Sequence, residues 1–130
     1  MSEMFDARKG LVLLTAEIIG PKREVIVRLA LDTGATATLI KPNALIIAGY
    51  DLTNLTDEAQ VTTGSELISV PRITVRRIIA LDVQVDDLSV LAHAVPKSAR
   101  IDGVLGLDFF RGKRLTIDFQ VGEITLESPI

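Results

Sequence analysis

The sequence predicts an all-β fold, a closed or strongly curved sheet carrying one or two short helices. Three observations lead there. Apolar and polar residues alternate with a period of two through most of the chain, the spacing that lays one face of a strand on a core. Windows with helical spacing are few and short. Glycine, proline and aspartate interrupt the alternating runs where strands would have to turn. With 130 residues, 48% of them hydrophobic and 24% charged, the chain has apolar material for one core and reads as a single domain over residues 1–130.

The elements follow in order. "LVLLTAEII" (11–19) reads as a strand whose Thr15 and Glu17 face outward, "GPKRE" (20–24) as a polar turn, and residues 25–31 as the returning strand with Val25, Val27, Leu29 and Leu31 on one face. "KPNALIIAG" (41–49) predicts two helical turns, with Pro42 at the first position and Gly49 as the stop. "ITVRRIIALDVQV" (73–85) predicts a long strand with Leu81, Val83 and Val85 opposite Asp82 and Gln84. Asp86-Asp87 then reads as a turn, before "LSVLAHAV" (88–95) returns and Pro96 ends it. "LDFFRG" (107–112) allows little more than one helical turn, ending at Gly112. The last hairpin joins 114–119 to 123–127, and Leu115, Ile117, Phe119, Ile124 and Leu126 are expected in the core. A faint internal echo links "LDTGA" (31–35) and its helix to "RIDGVLG" (100–106) and its own.

Composition removes several functions. A net charge of −3 gives no footprint for nucleic acid, and the basic groups Arg76-Arg77 and Arg111–Arg114 suit a solvated face. The chain has no cysteine, which excludes disulfides, thiolate catalysis and cysteine-held zinc. Its one histidine, His93, lies in an apolar run without a nucleophile elbow nearby, as a structural histidine would. The apolar run 11–19 is too short to span a bilayer and lacks a cleavage signal, so no membrane insertion and a cytoplasmic setting are expected.

Asp32 stands out. It directly follows Leu29 and Leu31, where the chain leaves an apolar strand, and a carboxylate buried there is costly unless paired. A D-x-G tripeptide is a common turn, so an Asx turn in a plain barrel would account for it locally. The surroundings say more: Gly34 permits close approach, Ala35 is small, and Thr33 and Thr36 can supply hydroxyls to orient the carboxylate.

"ALDTGATATLI" (30–40) together with "IDGVLGLDFF" (101–110) resembles the retropepsin class of aspartic proteases, the single-domain cellular and bacterial members especially. The first stretch is similar to the family's catalytic loop, with Asp32, Thr33 and Gly34 at the signature positions, supported by Ala35 and Thr36. Val104, Leu105 and Gly106 resemble the hydrophobic-hydrophobic-glycine element that threads behind that loop. "QVTTGSELISVPRITV" (60–75) looks like the flap hairpin, with Thr63, Gly64 and Ser65 at its tip and Val70-Pro71 on the returning strand. Thr36 stands where many relatives carry serine, and the flap has fewer glycines than retroviral ones.

The resemblance implies a retropepsin-like acid-protease barrel, peptide or protein substrates, and neither metal nor cofactor. It also implies two aspartates sharing one proton, since neighbouring like charges resist joint ionisation. Only one D-T-G is present: Asp102-Gly103 lacks the intervening hydroxyl residue, Asp108 falls in the short helix, and Asp51-Leu52-Thr53 has no glycine. The second carboxylate is therefore expected from Asp32 of a second copy in a symmetric homodimer. Chain ends 122–130 and the N-terminal strand are candidate interface material, as are the loops themselves. The alternative is a catalytically inactive relative serving as a peptide-binding or dimerisation module. Ile79, Ile101 and Val104 are open to subsite or core roles.

Overall fold

The computed structural model describes residues 2–8 and 10–129, with only the backbone described at Thr63. The strands are β1 (Ser2–Met4), β2 (Leu13–Ile19), β3 (Glu24–Leu31), β4 (Leu39–Ile40), β5 (Glu58–Thr63), β6 (Glu66–Ala80), β7 (Val83–Ala92), β8 (Gly103–Leu105), β9 (Arg114–Asp118) and β10 (Glu123–Glu127). Two helices, α1 (Pro42–Ala48) and α2 (Leu107–Phe110), and one 3₁₀ turn (Lys97–Ala99) lie between them. The large sheet runs β2-β3-β8-β4-β7-β6-β5, and an added β2–β6 pairing closes its first six strands into a barrel. Among the described residues no helix is long and apolar enough to cross a membrane.

The period-two pattern sets the barrel wall. Leu14, Ala16 and Ile18 of β2 point inward, and they meet Val27 and Leu29 of β3, Val75 and Ile78 of β6, and Val90 of β7. Helix α1 covers one end with Ala44, Leu45 and Ala48 buried; Gly49 ends it in the left-handed region at φ 107°. Phe109 of α2 is fully buried, packed edge-to-face on Phe110 at 5.6 Å between ring centroids. Tyr50, just past α1, extends the barrel seam: its hydroxyl donates to the Ile19 carbonyl and accepts from the Arg76 amide, both at 2.8 Å.

The feature that positions the site is an inserted strand. β8 runs parallel to β3 (29–31 beside 103–105) and antiparallel to β4 (39–40 beside 103–104). It therefore lies between the two strands that the loop 32–38 connects. Crowding there is severe, since a Cβ on Gly103 would sit 1.9 Å from the Leu39 carbonyl oxygen.

Three expectations are corrected. The long strand ends at Ala80, and the turn falls on Leu81 and Asp82 (φ 53° and 58°), the two-residue left-handed turn that matches strand twist. Leu81 is buried there, so its apolar character records a packed turn residue and not a strand position. The pair Asp86-Asp87 does not turn the chain: it lies within β7, where Asp87 has φ 54° at an interruption of the ladder opposite Arg76. Phe119 is 59% exposed instead of buried, because β9 ends at Asp118 and the ring only meets Phe5 edge-on at 5.5 Å. Ile124 and Leu126 are buried as expected, while Leu115 and Ile117 are half-buried. The N-terminal β1 pairs with β10 of its own chain, in a three-stranded sheet β1-β10-β9.

Candidate active site

The loop after β3 is fixed from both ends and from below. The Asp32 amide donates to the Leu105 carbonyl (3.0 Å), and its own carbonyl accepts from Ala35 (3.2 Å). Asp32 Oδ1 accepts the Gly34 amide at 2.9 Å, an Asx turn that holds the carboxylate half-buried. A Cβ on Gly34 would lie 3.2 Å from that same oxygen. Thr33, Gly34 and Thr36 are exposed and Ala35 is half-buried. The hydroxyls of Thr33 and Thr36 make no hydrogen bond among the described residues, so within one chain the carboxylate is oriented by the Gly34 amide and not by a threonine.

The element Val104, Leu105, Gly106 passes directly beneath. Leu105 is fully buried, and Gly106 lies so close that a Cβ would be 2.8 Å from the carbonyl oxygens of both Ala35 and Ala37. Leu107 then donates its amide to Ala35 O at 2.8 Å.

Two residues that brace this loop were missed in the sequence. Thr38 is fully buried; its amide donates to Asp108 Oδ2 (2.8 Å) and its hydroxyl to Asp108 Oδ1 (2.6 Å), while the same hydroxyl accepts the Gly106 amide (3.1 Å). Asp108 also takes the Phe109 amide at 2.9 Å. This charge-assisted set ties the end of the loop to α2 and the threading strand. A threonine among Ala37, Leu39 and Ile40, and an aspartate inside "LGLDFF", each require a partner in apolar surroundings. Pairing the two orphans was the available signal. Replacing Asp108 by Asn puts an amide donor where one carboxylate oxygen now accepts, and should cost about 1–3 kcal/mol in urea unfolding; an unchanged midpoint would mean that the lock is dispensable.

Asp102, set aside as a second catalytic carboxylate, has a structural engagement. Its Oδ1 is 2.6 Å from Lys41 Nζ and its Oδ2 accepts the Arg28 amide at 2.8 Å. Burial pushes its pKa up, but the Lys41 ammonium and the Arg28 amide outweigh it and hold the carboxyl below the usual range. A depressed folded-state pKa stabilises the fold above the unfolded value of about 3.9, and that stability is lost as pH falls through the folded pKa. Thermal melts of Asp102→Asn should therefore show a weaker fall in Tm than the parent below about pH 4; parallel curves would contradict this. Asp51, held low by the Thr53 hydroxyl, and Asp86, held low by Arg77, titrate in the same direction in both proteins.

Beside the loop opens a cavity of about 480 Å³, walled by Gly34–Ala37 and Leu39 on one side, Ala59–Thr62 of β5 on another, and Arg72, Leu91 and Val104. It begins two residues past Asp32. The β5–β6 hairpin overhangs it, with Gly64 (φ 63°) and Ser65 in the two-residue turn between Thr63 and Glu66, both exposed. The Thr63 side chain lies outside the described residues. Of the three apolar residues left open between subsite and core, Val104 lines this cavity; Ile79 lies at a separate one with Leu81, and Ile101 lines neither. His93 is half-buried with its amide on the Ile40 carbonyl (3.1 Å), away from the cavity lining. Among the described residues no group of three or more His, Cys, Asp or Glu could hold a metal ion.

The profile of a family described as "gag-polyprotein putative aspartyl protease" matches residues 22–112. The crystal structure of a retropepsin-like aspartic protease from Rickettsia conorii superposes with a TM-score of 0.73, at 17% identity, over 98% of this chain and 94% of that one. At such identity the likeness speaks for the fold. No curated protein matches the sequence.

Proposed function

The chain belongs to the gag-polyprotein aspartyl protease family and has the retropepsin-like fold, and on that premise we propose that it is a homodimeric aspartic endopeptidase, one such domain per chain. The observation that carries the proposal is the D-T-G loop itself. Its carboxylate is held half-buried by a backbone amide, it is backed by a threaded strand, and Thr33 and Gly34 remain exposed at its outer edge. A loop so braced, yet open on the side of the aspartate, suits a face completed by a second copy.

In the proposed dimer the two Asp32 carboxylates share one proton. The ionised one removes a proton from water as the oxygen attacks the scissile carbonyl; the protonated one hydrogen-bonds the carbonyl oxygen and then protonates the leaving amine. The unbonded Thr33 hydroxyl is assigned to a bond across the two-fold axis. Because β1 already pairs with β10 within one chain, contact through the 32–36 loops is proposed as the main interface. The β5–β6 hairpin acts as the flap, closing over peptide to keep bulk water from the dyad.

The test is pepstatin-sensitive cleavage of a peptide library at acidic to neutral pH, with Asp32→Asn as control. Cleavage by the parent alone supports the reading. A folded dimer that binds peptides but cleaves none would instead make the chain a binding module.

A further inference from the structure

The cavity beneath the hairpin has one charged side chain in its lining, and that side chain is a cation. Arg72 lines a space whose other walls are uncharged, with Leu39, Val61, Leu91 and Val104 the large apolar members and Gln60, whose amide donates to the Ser69 hydroxyl at 2.7 Å, the one carboxamide. Its backbone is fixed: the Arg72 amide donates to the Asp57 carbonyl at 2.9 Å, and the residue pairs with Leu91 across the β6–β7 ladder. Its head is only lightly engaged. Nη1 reaches Asp57 Oδ1 at 3.3 Å, Asp57 is 63% exposed and stands outside the cavity lining, and the other guanidinium N–H groups have no partner among the described residues.

A guanidinium with spare donors beside apolar walls is built to take a carboxylate in fork geometry, and a charge-assisted pair is stronger there than in open water. We propose that Arg72 is a specificity-determining residue that selects peptides carrying an acidic side chain at the position seated in this cavity. The inference rests on the endopeptidase reading and names its substrate class. The apolar walls receive the methylene stem of the substrate residue, and Arg72 receives its carboxylate. Asp57 competes weakly for the same guanidinium and so tunes the preference.

The experiment uses the full chain and peptide pairs differing only in Glu against Gln, placed in turn at each position around the scissile bond, near pH 6 where glutamate is ionised. At one position the parent should favour Glu over Gln by about tenfold in kcat/KM. Arg72→Gln should bring that ratio to about one, and Arg72→Glu should favour a Lys peptide at the same position. Asp57→Asn leaves Arg72 in place and should raise the ratio, which keeps the test open if the Arg72 variants fail to fold. Asp32-dependent cleavage without a Glu preference at any position overturns the inference, as does a ratio that survives Arg72→Gln or stays unchanged in Asp57→Asn. No Asp32-dependent cleavage of any peptide overturns the endopeptidase reading, and this inference with it.

Discussion

Replacing Asp32 by Asn should lower kcat/KM for peptide cleavage by at least about 10³-fold while leaving the fold intact. The loss follows from chemistry: an amide can neither take a proton from water nor return one to the leaving amine at these pH values, and every homodimer would carry two of them. The intact fold follows from geometry. The side-chain oxygen that accepts the Gly34 amide at 2.9 Å is retained in an asparagine, and the loop's other ties run through backbone atoms. Replacing both carboxyls also removes the charge that the dyad confines between them, so urea unfolding should show stability equal to or slightly above the parent. Comparable kcat/KM in the variant would remove Asp32 from the mechanism.

The second large effect is on stability. Gly103→Ala should destabilise the protein by at least about 3 kcal/mol. The added methyl would sit 1.9 Å from the Leu39 carbonyl oxygen, 2.9 Å from its carbon and 3.0 Å from the Ile40 Cα, all backbone atoms of a paired strand. None can rotate aside. Either β8 leaves its place between β3 and β4, taking with it the Leu105 carbonyl that holds the Asp32 amide, or the barrel opens along that seam. Gly64→Ala is the contrast. Its Cβ meets nothing within 4 Å, so only the left-handed φ of 63° is penalised, by about 1–2 kcal/mol. Equal midpoints for the two variants would show that β8 can shift freely.

Much of this was legible in the chain because strands announce themselves by alternation. The hairpin β2–β3 and the closing pair β9–β10 fall where period two places them, and α1 lies between its Pro42 and its Gly49. The turn at Leu81-Asp82 was not legible, since a buried leucine in a left-handed conformation looks like one more strand residue. Phe119 misled for the opposite reason: alternation continues past Asp118 although pairing with β10 does not. The pairing of β1 with β10 depends on contacts more than a hundred residues apart in sequence, for which three residues near a terminus carry no local signal.

The site was legible in its parts and not in its bracing. The D-T-G loop and the threading Val104-Leu105-Gly106 were recognisable by type and order, and the structure brings them into hydrogen-bonding contact. Thr38 and Asp108 escaped because each is unremarkable alone; only their distance in space, 2.6 Å across 70 residues of sequence, gives them a role. Arg72 escaped too, as one basic residue on a long strand.

The central claim is that two chains share one site, and mixing tests it most directly. Parent enzyme is held at a fixed concentration while folded Asp32→Asn chains are added, with the association state followed by sedimentation. If the dyad is built from one aspartate per chain, a ninefold excess of variant should leave about a tenth of the parent's activity, because most parent chains then pair with an inactive partner. Diluting the parent alone below its dimer dissociation constant should make activity fall with the square of concentration. Activity unaffected by the variant, proportional to parent concentration, and carried by a species that sediments as a monomer would contradict the shared site.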